Sequence, residues 1–242
     1  MIGNLSLPRE QVHVWEIELG LSPNDVAYLQ STLSQQELQT ANRYTAQLHR
    51  DRSIVAHGAL RNLLSRYTEQ SPQDLHFTLS ASGKPTLMGL GGDSHVHFNL
   101  SHSANRALIA IATGVPVGVD IERIDPSTDV LAVAERFFSS TELEALRAAT
   151  PPAQLQQFFQ IWVCKEAYVK ARGEGILDRL SSFSVSVEPS AETHLIADST
   201  DPLAPKTWRL SLLESPPSFT SAVAVPNKAT QVLQRTWTPV FP

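Results

Sequence analysis

The chain has 242 residues, 42% of them hydrophobic and 18% charged, a balance that fits a globular protein with a sizeable core rather than a disordered or fibrous one. Its net charge of −5 argues against a general nucleic-acid binder. One cysteine, Cys164, allows no intrachain disulfide, which suits a cytoplasmic protein.

The start, "MIGNLSLPRE", lacks the basic-then-apolar order of a signal peptide. Residues 12–19, "VHVWEIEL", alternate and predict a strand. Residues 23–44 read as one helix, and a longer helix is expected over about Leu48–Tyr67. Within it Ala56, Leu60, Leu63, Leu64 and Tyr67 share one face. Arg43, Arg50, Arg52, Arg61 and Arg66 crowd this region, as a local anion site or, more simply, a solvated helix face. "LHFTLS", a turn at "SGKP", and the strands "VHFNL" and "RALIAIAT" follow. The longest apolar run, "ALIAIATGVPVGV", is too short and too interrupted to cross a bilayer. "GVPVG" is the natural boundary between an α+β half over 1–115 and a second over 116–242.

The second half opens on the extended "VGVDIERI". "SSTE" at Ser139–Glu142 is a capping box opening a short helix, which Pro151 and Pro152 should stop. A helix from about Ala153 to Gly173 comes next, then the strands "SSFSVSV", "TWRLSLL" and "FTSAVAVP". Both halves run from a long helix to paired strands, so the fold class expected is α+β: two pseudo-symmetric halves with a cleft between them.

The helix containing "FQIWVCKEAYVK" poses the chemical question. It is apolar on most sides yet carries Lys165, Glu166 and Lys170, and charges are rarely buried unless paired or bound to something. Trp162, Glu166 and Lys170 fall on one helical face. In "GVDIER", Asp120 and Glu122 share one strand face, about 6.6 Å apart along the strand. Three carboxylates without clustered Cys or His suit a hard cation, best Mg2+, with phosphate oxygens completing its shell.

These stretches resemble the 4′-phosphopantetheinyl transferases of the surfactin-synthetase-activating type. "GVDIE" (118–122), "FFSSTE" (137–142), "WVCKEAYVK" (162–170), "GKP" (83–85) and "FNLSHS" (98–103) carry the resemblance, in matching order over nearly the whole chain. It implies a monomer with coenzyme A between two pseudo-symmetric halves. It also implies transfer of 4′-phosphopantetheine to a serine of an apo acyl, peptidyl or polyketide carrier protein, releasing adenosine 3′,5′-bisphosphate. Nucleic acid and membranes are not expected partners.

Under the resemblance Asp120, Glu122 and Glu166 hold Mg2+, with Mn2+ as a substitute. Glu166 also serves as base for the incoming serine, and Lys170 assists the departing phosphate. Arg52, Lys84, Ser101 and His102 fall where the family contacts the nucleotide phosphates, and Lys165 is read as a phosphate or structural contact. Two departures stand out. Val163 replaces a hydroxyl residue frequent after the motif tryptophan, and "SQQELQTAN" lacks the lysines that reach the 3′-phosphate in some members, leaving Arg43. Phe137, Phe138 and Leu143 read as core or, where exposed, as part of the carrier dock that the resemblance places in this neighbourhood. Outside the resemblance, His95 and His97 read as a strand face, His57 as a satisfied histidine, and Cys164 as an inert thiol. Two other functions use the same residues: a Mg2+-dependent hydrolase of a diphosphate such as coenzyme A, or a non-catalytic coenzyme A-binding domain.

Overall fold

The computed structural model describes residues 5–8, 10–89, 92–93, 95–173, 179–186, 193–227 and 231–239. The first half runs β1 (Gln11–Glu18), α1 (Pro23–Ser31), α2 (Gln35–Ala41), α3 (Gln47–Thr68), β2 (Phe77–Leu79), β3 (Pro85–Gly89), β4 (Gly92–Asp93), β5 (Val96–Ser103) and β6 (Arg106–Thr113). The second runs β7 (Gly118–Arg123), α4 (Val130–Phe137), α5 (Ser140–Ala148), α6 (Pro151–Arg172), β8 (Phe183–Val185), β9 (Leu195–Asp198), α7 (Ala204–Thr207), β10 (Trp208–Leu212) and β11 (Phe219–Pro226). A last strand, β12 (Gln231–Thr236), returns to the first half. Among the described residues no helix is long and apolar enough to cross a membrane.

The halves share one topology. The first forms an antiparallel sheet with neighbours β1-β6-β5, the second one with neighbours β7-β11-β10. Each thus places its first strand beside its last. β12 pairs parallel with β1 and extends the first sheet. Strand alternation sorts the core into three layers. On β6, Ile109 and Ile111 pack with α3, while Leu108, Ala110 and Ala112 face the second sheet. On β11, Ala222 and Ala224 pack with α6, while Val223 and Val225 face the first sheet. The result is a helix, two stacked sheets and a second helix.

The repeat extends to buried charge. α2 and α5 both open on a capping box, Ser34 with Glu37 and Ser139 with Glu142. Each capping glutamate also holds a cation on the following long helix: Glu37 meets Arg61 at 2.9 Å, and Glu142 meets Lys165 at 2.8 Å. Arg61 and Lys165 stand equally far from the start of two helices of 22 residues. Each also donates to two carbonyls of the chain just beyond its helix, Pro72 and Leu75 for Arg61, Leu180 and Phe183 for Lys165. Breaking such a pair from one side leaves an uncompensated buried charge.

Several boundaries differ from expectation. The helix read over residues 23–44 is two helices, because Ser34 caps a new start: its Oγ accepts from Glu37 N–H. "SQQE" is the same signal as "SSTE". Pro151 and Pro152 begin α6 rather than end α5, since the missing proline N–H costs nothing in a first turn. No element is read from the sequence at α4, β3, β9, α7 or β12, although the apolar residues of α4 keep helical spacing. Val187 of "SSFSVSV" lies outside the described residues. The five arginines do not form one patch: Arg61 is buried against Glu37, Arg66 lies over the Trp15 ring, and Arg50 bonds to Gln47 and the Tyr44 carbonyl.

Candidate active site

β7 supplies the acids by simple alternation. Val119 and Ile121 fill the layer between the sheets, so Gly118, Asp120 and Glu122 turn toward α6. Asp120 is buried and Glu122 half-buried. α6 lies almost on the β7 backbone: a Cβ built on Gly118 would fall 2.0 Å from the Ala167 carbonyl oxygen. That approach brings Glu166 and Lys170, one turn apart, over the β7 acids.

Lys170 Nζ donates to Asp120 Oδ1 at 2.6 Å and to Ser101 Oγ at 3.1 Å. Ser101 Oγ in turn donates to Asp120 Oδ1 at 2.7 Å, and Ser103 Oγ donates to Glu122 Oε2 at 2.8 Å. Asp120 Oδ2 is buried with no hydrogen-bond partner. Glu166 is 8% exposed, and its carboxylate accepts no hydrogen bond among the described residues. Burial pushes its pKa up to about 7, with Asp120 and Glu122 adding to the rise and Lys170 opposing it. Burial and Asp120 also raise Glu122. One lysine facing three acids leaves an excess of negative charge.

A divalent cation would relieve that excess, and the donor set is chemically apt for one: carboxylate oxygens, one of them buried and orphaned. The acids do not enclose an ion unaided. Among the described residues no three His, Cys, Asp or Glu side chains are disposed to hold a metal as they stand.

Three residues expected near the phosphates bond within the protein, and Lys165 takes the structural alternative of its expectation. Lys165 is fully buried, and its three protons are taken by Glu142 Oε2, the Leu180 carbonyl (2.7 Å) and the Phe183 carbonyl (2.6 Å). It is a structural ion-pair partner and has no donor left for coenzyme A. Lys84 Nζ reaches across from the first half to the carbonyls of Val117, Lys170 and Ala171 at 3.1, 2.6 and 3.3 Å. It caps the C-terminal end of α6 and staples the halves, and burial lowers its pKa to about 8. Ser101 has one proton, and Asp120 takes it.

Arg52 and His102 remain open. Arg52 Nε is enclosed without a partner. His102 lines a cleft of about 690 Å³ between α2, α3, β2 and β5, together with His57, Thr40, Asn99 and Pro85. α2 brings no lysine or arginine to this cleft, and its Glu37 is already held by Arg61. Arg43, the remaining candidate there, is exposed.

The secondary candidates resolve simply. His57 Nδ1 bonds to the Ser53 carbonyl at 2.8 Å. Cys164 is buried, which pushes its thiol up to about 12. Phe138 is core, stacked on Phe158 at 5.2 Å, whereas Phe137 and Leu143 are half-buried beside it. Two residues escaped the sequence reading. Ser103 could have been found from the alternation Asn99, Ser101, Ser103 on one strand. Gly118 belongs to the "GVDIE" stretch but shows its importance only once α6 is seen against it.

A buried carboxylate with no hydrogen-bond partner among the described residues, beside two more acids and a lysine, is a candidate functional site. Residues 21–114 match the N-terminal family of 4′-phosphopantetheinyl transferases, and residues 116–225 match the 4′-phosphopantetheinyl transferase superfamily. The 4′-phosphopantetheinyl transferase HetI of Nostoc sp. is 36% identical over 92% of this chain and 90% of its own length. A putative 4′-phosphopantetheinyl transferase of Synechocystis sp., slr0495, is 33% identical over 85% of this chain and 80% of its own. The 4′-phosphopantetheinyl transferase Sfp of Bacillus subtilis is 30% identical over 78% and 83%. The chain belongs to the 4′-phosphopantetheinyl transferase superfamily.

Proposed function

We propose that this enzyme moves 4′-phosphopantetheine from coenzyme A to a serine of an apo carrier protein, with Mg2+ held by Asp120, Glu122 and Glu166. The observation that carries the reading is Glu166: a buried carboxylate with no hydrogen-bond partner among the described residues, set one helical turn from Lys170 and facing the β7 acids. When bound, Mg2+ would neutralise charge on the diphosphate of coenzyme A.

The protein supplies positions and protons. The carrier serine hydroxyl is a weak nucleophile and needs a base; Glu166 takes its proton, directly or through water. The serine oxygen bonds to the phosphorus that bears pantetheine, and the bond from that phosphorus to the bridging oxygen breaks. Adenosine 3′,5′-bisphosphate leaves with the electron pair, and Lys170 stabilises the charge on its phosphate. Arg52 and His102 bind the nucleotide phosphates, with the nucleotide in the cleft that His102 lines. The carrier docks beside Phe137 and Leu143. The two halves form one functional unit, divided near 115–116, that works as a cytoplasmic monomer.

The test is direct. The protein, coenzyme A and Mg2+ are mixed with an apo acyl carrier protein, and the carrier is weighed by mass spectrometry. A gain of one phosphopantetheine, abolished by EDTA, is expected. Cleaved coenzyme A with an unmodified carrier would make the enzyme a hydrolase instead.

A further inference from the structure

We propose that Ser103, with Ser101, is a positioning residue that holds the β7 acids from the facing strand. β5 and β7 lie in different sheets and are joined by side chains. Asn99 Oδ1 accepts from Val119 N–H at 2.8 Å, Ser101 meets Asp120, and Ser103 meets Glu122. The two-residue step from Ser101 to Ser103 on β5 thus matches the step from Asp120 to Glu122 on β7. His102, between the serines, turns to the cleft instead.

Each serine proton is aimed by a donor arriving on the other side of its oxygen. Ser103 Oγ accepts from Arg123 N–H at 3.1 Å, which directs its own proton to Glu122 Oε2. Ser101 Oγ accepts from Lys170 Nζ, which directs its proton to Asp120 Oδ1. Asp120 and Glu122 are like charges on one strand face, and Asp120 adds to the rise that burial gives the Glu122 carboxyl. A fixed donor on one oxygen of each acid sets its rotamer against the like charge of the other. The second oxygens are left free: Asp120 Oδ2 is orphaned, and Glu122 Oε1 accepts no hydrogen bond among the described residues. Partners that orient ligands in this way typically change metal affinity about 10- to 100-fold when removed.

This inference rests on the metal reading above. Its test is Mn2+ uptake, with free Mn2+ counted by electron paramagnetic resonance in the presence of saturating coenzyme A and corrected for coenzyme A alone. Ser103→Ala is expected to weaken Mn2+ binding about 10-fold or more, and Ser103→Thr, which keeps the hydroxyl, to bind as wild type does. Should Ser103→Ala not fold, Ser103→Cys makes the same comparison with a weak donor of similar bulk. Equal Mn2+ affinity in wild type and the Ala or Cys variant would overturn the positioning role, even if thermal stability falls. A wild type that takes up no Mn2+ would overturn the metal reading and this role together.

Discussion

Gly118→Ala is expected to cost about 4 kcal/mol or more and to lower the melting temperature by roughly 10 °C or more, as measured by calorimetry. The reason is contact, not conformation. The added Cβ would stand 2.0 Å from the Ala167 carbonyl oxygen and 2.4 Å from the Ala171 amide nitrogen. Both are backbone atoms of a helix locked on its other side by buried aromatic side chains, so neither can yield alone. α6 must lift from β7, which carries Glu166 and Lys170 away from Asp120. Whatever folds should also lose about 100-fold or more in turnover, because a displacement of about 1 Å at a reacting group has that effect. Gly20→Ala, with nothing within 4 Å of its Cβ, is the control and should change stability by less than about 0.5 kcal/mol.

Glu166→Gln should behave in the opposite way. The substitution preserves shape but removes the base and one metal oxygen. Turnover is expected to fall about 1,000-fold, within the range for a lost general base. Stability should hold or rise, because the wild-type carboxylate is desolvated and repelled by Asp120 and Glu122, as its rise to about 7 shows. Single-turnover kinetics and a melting curve on the same preparation check both halves of this expectation. A variant that is destabilised and only slightly slowed would mean Glu166 is a packing residue.

The contrast between these two sites follows what a sequence can show. Asp120 and Glu122 were legible because strand alternation needs no tertiary knowledge, and Glu166 with Lys170 because helical spacing is equally local. The stretch "SSTE" revealed the α5 start, but "SQQE" hid inside what reads as one continuous helix. Helical spacing separates Lys165 from the face shared by Glu166 and Lys170 but does not say what either face meets. Which lysine meets a distant capping glutamate and which meets an acid of β7 depends on the helix's rotation against two different neighbours.

The pseudo-repeat makes the same point. Trp15 and Arg66 meet across β1 and α3 with the guanidinium 6.0 Å from the ring centroid, while Asp120 and Lys170 meet across β7 and α6 at 2.6 Å. Both halves bring a cation on the long helix to the first strand, and the second half adds the acids. Lys84 illustrates the remaining limit. Its place in "GKP" suggests a ligand contact, yet its three protons go to carbonyls contributed by the other half.

The central claim is that Asp120, Glu122 and Glu166 meet around one divalent cation that also binds the diphosphate of coenzyme A. Anomalous diffraction from crystals grown with Mn2+ and coenzyme A tests it most directly. The expected result is a single peak at about 2.0–2.2 Å from an oxygen of each of the three acids and from the diphosphate. A peak elsewhere, or no peak with coenzyme A bound and Lys170 still seated on Asp120, would contradict it.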